Sequence, residues 1–68
     1  MPELTNRLRE AREAKGWTQA ELAAEIGVSR KTINTVENGV FIPSTVIALK
    51  LAAALGTRVE RLFFLADQ

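Results

Sequence analysis

The side chains of one short segment could form a row of hydrogen bonds along a single surface. Residues 29–38 read SRKTINTVEN, and only Ile33 and Val36 among them are clear core residues. In a helix of about 3.6 residues per turn, the face opposite these two carries no acid. Its polar side chains are those of Arg30, Lys31, Asn34, Thr35 and Asn38. An α-helix fits the major groove of DNA, where arginine and lysine pair with guanine acceptors and asparagine pairs with adenine.

The residues before this segment indicate what positions it. Thr18 and Glu21 fit a T-x-x-E capping box, so a helix is predicted to begin there. Ala23 is small enough to let two short helices cross closely, and Gly27 can adopt the positive φ of a tight turn. A polar face alone is also typical of a solvated surface helix. It is therefore the whole combination that favours a helix-turn-helix at about residues 18–38.

Glycines and capping residues divide the rest of the chain in the same way. Ser29 and Ser44 are candidate helix caps, and Thr57 with Glu60 fits a second capping box. Five helices are predicted, at about residues 4–15, 18–26, 29–38, 44–55 and 57–64. Because alternation of period two does not extend beyond three or four residues, no strand is predicted. The expected fold class is all-α: one compact five-helix domain spanning residues 1–68, with about 44–66 available for dimerisation.

Composition argues against several other classes of function. The 68 residues suffice for one domain, and the absence of cysteine and histidine argues against disulfides and an ordinary zinc site. There is no Gly-rich phosphate loop and no nucleophile with a histidine base, so an enzyme is not expected. The longest apolar run, residues 46–55, is about half as long as a membrane span. We expect a cytoplasmic protein with no metal, no cofactor, no membrane association and no small-molecule ligand.

Charge is distributed unevenly along the chain. The net charge is only +1, so the molecule as a whole gives no electrostatic argument for nucleic acid. Between residues 26 and 59, however, four cations accompany a single anion, Glu37, which makes a local charge of +3. This asymmetry is mild and supports the helix-based interpretation without deciding it.

The sequence resembles the helix-turn-helix of the phage lambda-repressor and Cro-like family. The similarity extends from about residue 6 to residue 63 and includes the N-terminal LREAREAKGWTQAELA. It also includes the VENG that closes the third helix, the IPS that enters the fourth, and the ALG and VERLF of the C-terminal part. The resemblance implies a lambda-repressor-like fold that binds double-stranded DNA sequence-specifically and regulates transcription.

The resemblance also implies roles for individual residues. Those expected to read base edges are Arg30, Lys31, Asn34 and Thr35. Those expected to contact phosphates are Gln19, Thr32, Asn38 and the backbone of Gly39 and Val40. Arg12 and Glu37 correspond to a buried ion pair that ties the first helix to the end of the third. Since Arg12 would neutralise Glu37, the charge of Glu37 would not repel DNA.

Two apolar features need an interpretation of their own. The loop residues Val40, Phe41 and Ile42 depart from the family pattern, in which this loop often carries a basic or polar residue. We expect the loop to pack inward; the alternative is an exposed apolar wedge that meets DNA or a partner. Trp17 precedes the capping box, where an apolar staple is common, so we expect it to be buried or half-buried rather than stacked on a base.

A surplus of apolar residues predicts a second copy of the chain. The fourth helix is apolar on nearly all sides, and the consecutive Phe63 and Phe64 cannot both face one core. We expect a homodimer, since a surplus apolar surface marks an interface and a two-fold arrangement is the default. The alternative is that part of this surface stays exposed. The residues expected in the interface are Leu51, Leu62, Phe63, Phe64 and Leu65.

A two-fold dimer would place two recognition helices roughly 34 Å apart on a palindromic operator. The expected function is therefore that of a homodimeric transcription regulator, most simply a repressor that blocks polymerase, although the sequence does not separate repression from activation. Two alternatives stay open. The fold could serve as a protein-interaction or antitoxin-like module, or the chain could be the DNA-binding fragment of a longer, ligand-responsive regulator.

Overall fold

The computed structural model describes residues 3–66, which form five helices and a two-stranded antiparallel sheet. The elements are β1 (Leu4–Asn6), α1 (Leu8–Ala14), α2 (Gln19–Ile26), α3 (Arg30–Glu37), α4 (Thr45–Leu55), α5 (Val59–Leu62) and β2 (Phe63–Leu65). The five-helix, lambda-repressor-like fold is therefore confirmed, with helix bounds that differ mainly at the two ends. None of the helices in residues 3–66 is both long enough and apolar enough to cross a bilayer.

One apolar core holds the helices together. Leu8, Leu22, Ile33 and Leu51, one from each of the first four helices, have no exposed surface, and Leu62 of α5 is 1% exposed. Burial of a side chain of this size stabilises the folded state by about 1.5–3 kcal/mol. Because isolated helices of this length are unstable in water, each helix depends on the core that it shares with the others.

Three residues predicted for a dimer interface belong to this core. Leu51, Leu62 and Phe63 are at most 8% exposed. A side chain that is already covered by its own chain has no surface left for a second copy, so the interface prediction is wrong for these three. Phe64 is half-buried and Leu65 is exposed, so only these two of the predicted residues reach the surface.

The sheet joins the two ends of the described chain and corrects the prediction that strands are absent. Its register pairs Leu4 with Leu65, Thr5 with Phe64 and Asn6 with Phe63. Successive side chains of a strand point to opposite faces, so Phe63 enters the core while Phe64 lies outside it. There the guanidinium carbon of Arg7 is 5.4 Å from the ring centroid of Phe64. The strand thus places the two consecutive phenylalanines on opposite sides of the sheet.

Asn6 sets the start of α1, which begins four residues later than predicted. Its side-chain oxygen accepts a hydrogen bond from the N–H of Leu8, at 3.0 Å, and its Nδ2 donates to the carbonyl of Val36, at 2.9 Å. Asparagine commonly offers the backbone such an alternative to helix. Asn6 therefore ends β1, starts α1 and attaches both to the end of α3.

Three helices begin at predicted capping residues. The hydroxyl of Thr18 accepts from the N–H of Glu21 at 3.0 Å, and the carboxylate of Glu21 accepts from the N–H of Thr18 at 2.8 Å. Ser29 and Ser44 cap α3 and α4. The second predicted capping box, at Thr57, is not formed, because α5 begins one residue later and has no side-chain cap.

The segment between α3 and α4 is exposed, which makes the prediction of an inward-packed loop wrong. Val40, Phe41 and Ile42 are 78%, 45% and 70% exposed. The N–H groups of Val40 and Phe41 both donate to the carbonyl of Thr35, at 2.9 and 3.2 Å. These bonds hold the loop against the end of α3 and leave its side chains in solvent. Trp17, by contrast, is half-buried against the core as predicted.

Gly27 makes the turn between α2 and α3. Its φ is +76°, in the left-handed region, and its N–H donates to the carbonyl of Ala23. A Cβ atom added at Gly27 would meet no atom within 4 Å. The requirement for glycine therefore comes from backbone conformation and not from lack of space.

We expect Gly27→Ala to lower the free energy of unfolding by about 1–2 kcal/mol, the cost of holding an L-residue in the left-handed region. Gly27→Asn should lose less, because asparagine tolerates this conformation. Urea denaturation followed by circular dichroism measures both. Equal stability of Gly27→Ala and the parent protein would contradict this account of the turn.

Candidate nucleic-acid interface

The outer face of α3 carries the polar residues that the sequence singled out. Arg30 and Lys31 in the first turn are exposed, Asn34 and Thr35 in the next turn are half-buried, and Asn38 caps the C-terminal end. The inner face is occupied by the buried Ile33 and Val36. The helix thus divides into an apolar half that fixes it and a polar half that other molecules can reach.

A buried ion pair lies at the end of α3. Arg12 Nε donates to Glu37 Oε2 at 2.6 Å, and Arg12 Nη2 donates to Glu37 Oε1 at 3.2 Å. The side chain of Glu37 is 0% exposed and that of Arg12 is 10% exposed. Arg12 Nη1 also donates to the carbonyl of Trp17 at 2.7 Å. One guanidinium therefore connects α1, the entrance to α2 and the end of α3.

The surroundings of Glu37 keep its carboxylate ionised. Burial acts to raise its pKa, but hydrogen bonds from Arg12 and Gln19, the charge of Arg12 and a hydrogen bond from Arg9 together hold the pKa below its ordinary value. The same pairing raises the pKa of Arg12. Glu37 therefore carries a negative charge that its neighbours already neutralise, at a point next to the polar face of α3.

Arg9 of α1 is a second cation at this point, and it was not among the residues predicted from the sequence. Its Nε lies 3.3 Å from Glu37 Oε1, and its Nη2 donates to Asn38 Oδ1 at 3.1 Å, while half of the side chain stays exposed. The signal in the sequence was its i, i+3 spacing from Arg12, which places both arginines on one side of α1. Arg9 adds positive charge beside the C-terminal end of α3.

Gln19, the first residue of α2, lies between Glu37 and the exposed start of α3. Its Nε2 donates to Glu37 Oε1 at 3.1 Å and to Asn34 Oδ1 at 3.2 Å. Its Oε1 accepts from Arg30 Nη1 at 3.3 Å. Both Nε2 hydrogens are bonded inside the free protein, so the phosphate contact of the Gln19 side chain, which stays a prediction, would replace one of these bonds. The backbone N–H groups at the start of α2 are the donors that remain at this position.

The two backbone N–H groups that are expected to contact phosphate at the end of α3 also make hydrogen bonds within the protein. The N–H of Gly39 donates to the carbonyl of Val36 at 3.1 Å, and that of Val40 donates to the carbonyl of Thr35. These bonds close the helix in the free protein, and the phosphate contacts expected of the Gly39 and Val40 backbone stay a prediction. The hydroxyl of Thr32 lies 2.9 Å from that of Ser29.

The hydroxyl proton of Thr35 is used inside α3. Its hydroxyl donates back to the carbonyls of Lys31 and Thr32, at 3.0 and 3.1 Å. The donors that are left on this face belong mainly to Arg30 and Lys31. Arg30 uses one of its five N–H groups for Gln19, and the rest can reach acceptors outside the protein. Among residues 3–66, no cluster of three or more His, Cys, Asp or Glu could hold a metal ion.

We expect Glu37→Gln to lower the free energy of unfolding by about 3–5 kcal/mol at pH 7, because it leaves the buried guanidinium of Arg12 without a counter-charge. In the parent protein the folded pKa of Glu37 is below the unfolded value of about 4.3. The stability from this group is therefore complete above that pH and is lost as the pH falls further, through the folded pKa. Urea denaturation at pH 7 and pH 3.5 measures both effects.

Glu25→Gln is the matched control for this substitution, because Glu25 is exposed near the end of α2 and its replacement should change stability by no more than about 0.5 kcal/mol. Between the two pH values the Glu37→Gln variant should lose less stability than the parent. If it loses as much, the acid sensitivity arises from other carboxylates.

Comparison with known proteins identifies the family. Residues 8–62 match the family described as helix-turn-helix. An HTH-type transcriptional regulator of Archaeoglobus fulgidus is 42% identical over 65 residues, which are 96% of this chain and 93% of that protein. Another from Methanothermobacter thermautotrophicus is 44% identical over 61 residues, 88% of each chain.

A solved structure agrees with these relatives. The restriction-modification controller protein C.AhdI from Aeromonas hydrophila superposes with a TM-score of 0.75 and 42% identity, over 79% of this chain and 82% of its own. The resemblance seen in the sequence is thereby confirmed over most of the length of the chain. The chain belongs to the XRE-type, lambda-repressor-like family of helix-turn-helix transcriptional regulators.

Proposed function

We propose that this protein is a homodimeric repressor that inserts α3 into the major groove of a palindromic DNA operator. The observation that carries the proposal is the acid-free outer face of α3, whose nearest carboxylate, Glu37, is buried and neutralised by Arg12. A free acid at this position would repel the phosphate backbone. Here the phosphates would meet Arg9, Arg30 and Lys31 instead.

The residues divide into two groups by the contact proposed for them. Arg30 and Lys31 have donors free to bind guanine acceptors. Arg9, Thr32 and Asn38, with the backbone N–H groups at the start of α2, would bind phosphates and set the register of α3 along the groove. The start of α2 suits this role because a helix N-terminus presents unpaired N–H groups and a partial positive charge.

The proposed dimer uses a stripe on α4 that the core leaves uncovered. Val46 and Leu49 are 60% and 57% exposed, and Ala53, one turn further along, is exposed as well. The spacing i, i+3, i+7 places the three on one side of the helix, whereas Leu51 and Leu55 face the core. A two-fold contact through this stripe would bury apolar surface on both copies.

A second candidate function is favoured by the exposed segment Val40–Phe41–Ile42. Three consecutive apolar side chains in solvent are typical of a surface that binds another protein. In a protein-interaction or antitoxin-like module this loop would carry the function and α3 would not need to reach DNA. Salt dependence separates the two candidates, because phosphate contacts release counterions and protein contacts through apolar side chains do not.

We expect selection from a random duplex library to enrich a palindrome whose half-sites lie about one helical turn apart. On the enriched duplex, Arg30→Ala should cost about 1–3 kcal/mol per half-site and relax preference at one or two bases. Fluorescence anisotropy at two salt concentrations measures the affinity. Arg61→Ala, which removes an exposed arginine of α5, is the control for loss of charge alone. An unenriched pool would favour the interaction module.

We expect Leu49→Glu to convert the dimer to a monomer, because two copies of the substituted stripe would bring like charges together at the centre of the interface. Sedimentation equilibrium measures the mass. Leu65→Glu, at an exposed leucine of β2, is the matched control and should leave the dimer intact if α4 forms the interface. Dissociation by the control alone would move the interface to the sheet.

A further inference from the structure

A chain of hydrogen bonds leads from the buried Glu37 to the base-reading face and fixes which way each amide points. An ionised carboxylate can only accept hydrogen bonds, so the group of Gln19 that lies 3.1 Å from Glu37 must be its Nε2. A guanidinium can only donate, so the group of Gln19 that meets Arg30 must be its Oε1. The two charged neighbours therefore leave Gln19 a single orientation.

The orientation of Gln19 determines that of Asn34. Gln19 Nε2 lies 3.2 Å from the side chain of Asn34 and presents a donor, so the atom of Asn34 that faces it is the acceptor Oδ1. The hydrogen bonds of Asn38 independently assign the same orientation to the Asn34 side chain. Its Oδ1 accepts from Arg9 Nη2 at 3.1 Å, which directs its Nδ2 to Asn34 Oδ1 at 3.2 Å. Two donors that are fixed by different charged groups thus converge on one oxygen.

Asn34 is left with donors only. A carboxamide oxygen has two lone pairs, and both are used by Gln19 and Asn38. The Nδ2 of Asn34 meets no acceptor among residues 3–66, and the residue is half-buried on the face of α3 that points away from the core. The side chain can therefore offer hydrogens to an outside molecule but cannot accept one.

We infer that Asn34 reads its base pair in the operator as a pure donor, through the acceptors of guanine or thymine, and does not make the bidentate contact to adenine. The inference rests on the proposed function, since it assigns a base contact to the same face of α3. In the major groove, guanine offers N7 and O6 and thymine offers O4, all acceptors, whereas adenine offers one acceptor beside the N6 donor and cytosine offers only the N4 donor. The adenine contact expected of asparagine requires an amide oxygen to accept from N6, and that oxygen is already saturated.

Arg30 extends this preference to a second base. It lies four residues before Asn34 on the same face, which corresponds to a rise of about 6 Å along α3. Arg30 also presents only donors, for which guanine is the commonest target. The half-site should therefore contain a guanine read by Arg30 and, one or two base pairs away, a guanine or thymine read by Asn34.

Parallel selections from one random duplex library, with the parent chain and the variants Asn34→Ala and Asn34→Asp, test the inference. The position at which Asn34→Ala loses its preference identifies the base that Asn34 reads. Base analogues then show which atoms of that pair are read. Removing an acceptor, as 7-deazaguanine does for N7, should weaken binding of the parent chain about tenfold, whereas removing the N6 amino group of adenine should leave it unchanged. Asn34→Asp keeps the shape of the side chain and both internal bonds but presents an acceptor, so its binding should depend on an amino group, N4 of cytosine or N6 of adenine.

The possible outcomes distinguish a failure of this inference from a failure of the proposed function on which it rests. If the parent chain enriches no motif, the proposed function fails. If it enriches a motif that Asn34→Ala leaves unchanged, or if binding of the parent chain depends on the N6 amino group of adenine at the identified pair, the DNA-binding function stands and the inference about Asn34 is overturned. Binding of the parent motif and of its three single-base variants at that position gives the ratios of affinity directly.

Hydrogen exchange in the free protein supplies a measurement that needs neither DNA nor a variant. The side-chain amide hydrogens of Asn34 should exchange with water faster than those of Gln19, because only the latter are bonded to protein acceptors. Nuclear magnetic resonance of the ¹⁵N-labelled chain resolves the two amides. Equal or stronger protection of the Asn34 hydrogens would mean that they point inward, and would overturn the inference.

Discussion

The buried carboxylate of Glu37 is the group on which the rest of this structure depends. An ionised carboxylate away from water must be paired and hydrogen-bonded, since leaving it unsatisfied would cost several kcal/mol. Arg12 supplies most of that pairing and, through its third bond to the carbonyl of Trp17, also holds the entrance to α2. Glu37 Oε1 also accepts hydrogen bonds from Arg9 and Gln19. The hydrogen bonds to this single side chain therefore position α1, α2 and α3 relative to one another.

The apolar core and this polar network have different roles. Leu8, Leu22, Ile33 and Leu51 supply the free energy that holds five short helices together, but apolar contacts are non-directional and tolerate small shifts. Hydrogen bonds are directional, and those around Glu37 set the rotation of α3 and the orientation of the amides on its outer face. A reading surface for DNA needs side chains held within a fraction of an ångström. In a chain of this size the polar network supplies the precise positioning of side chains that the small apolar core cannot.

The sequence predicted those features that depend on local chemistry. Thr18, Ser29 and Ser44 cap helices because each precedes an apolar period, and Ile33 and Val36 are buried because their spacing matches one side of a helix. The sheet was missed because a strand of three residues is too short for alternation to be recognised. The contacts of Arg9 and the orientation of Asn34 could not be predicted either, since both depend on residues that lie far apart in the sequence and meet only in the folded chain.

If α3 reads DNA as proposed, stability and base preference are coupled in this arrangement. A change at Arg30, at the outer edge of the network, or at the exposed Lys31 would then alter the operator while the fold stays intact. A change at Gln19 or Glu37 removes bonds that orient Asn34 and also bonds that join the helices. New specificity is therefore accessible at the start of α3 and costly at its end. The same buried charge that stabilises the domain restricts how its outer face can be altered.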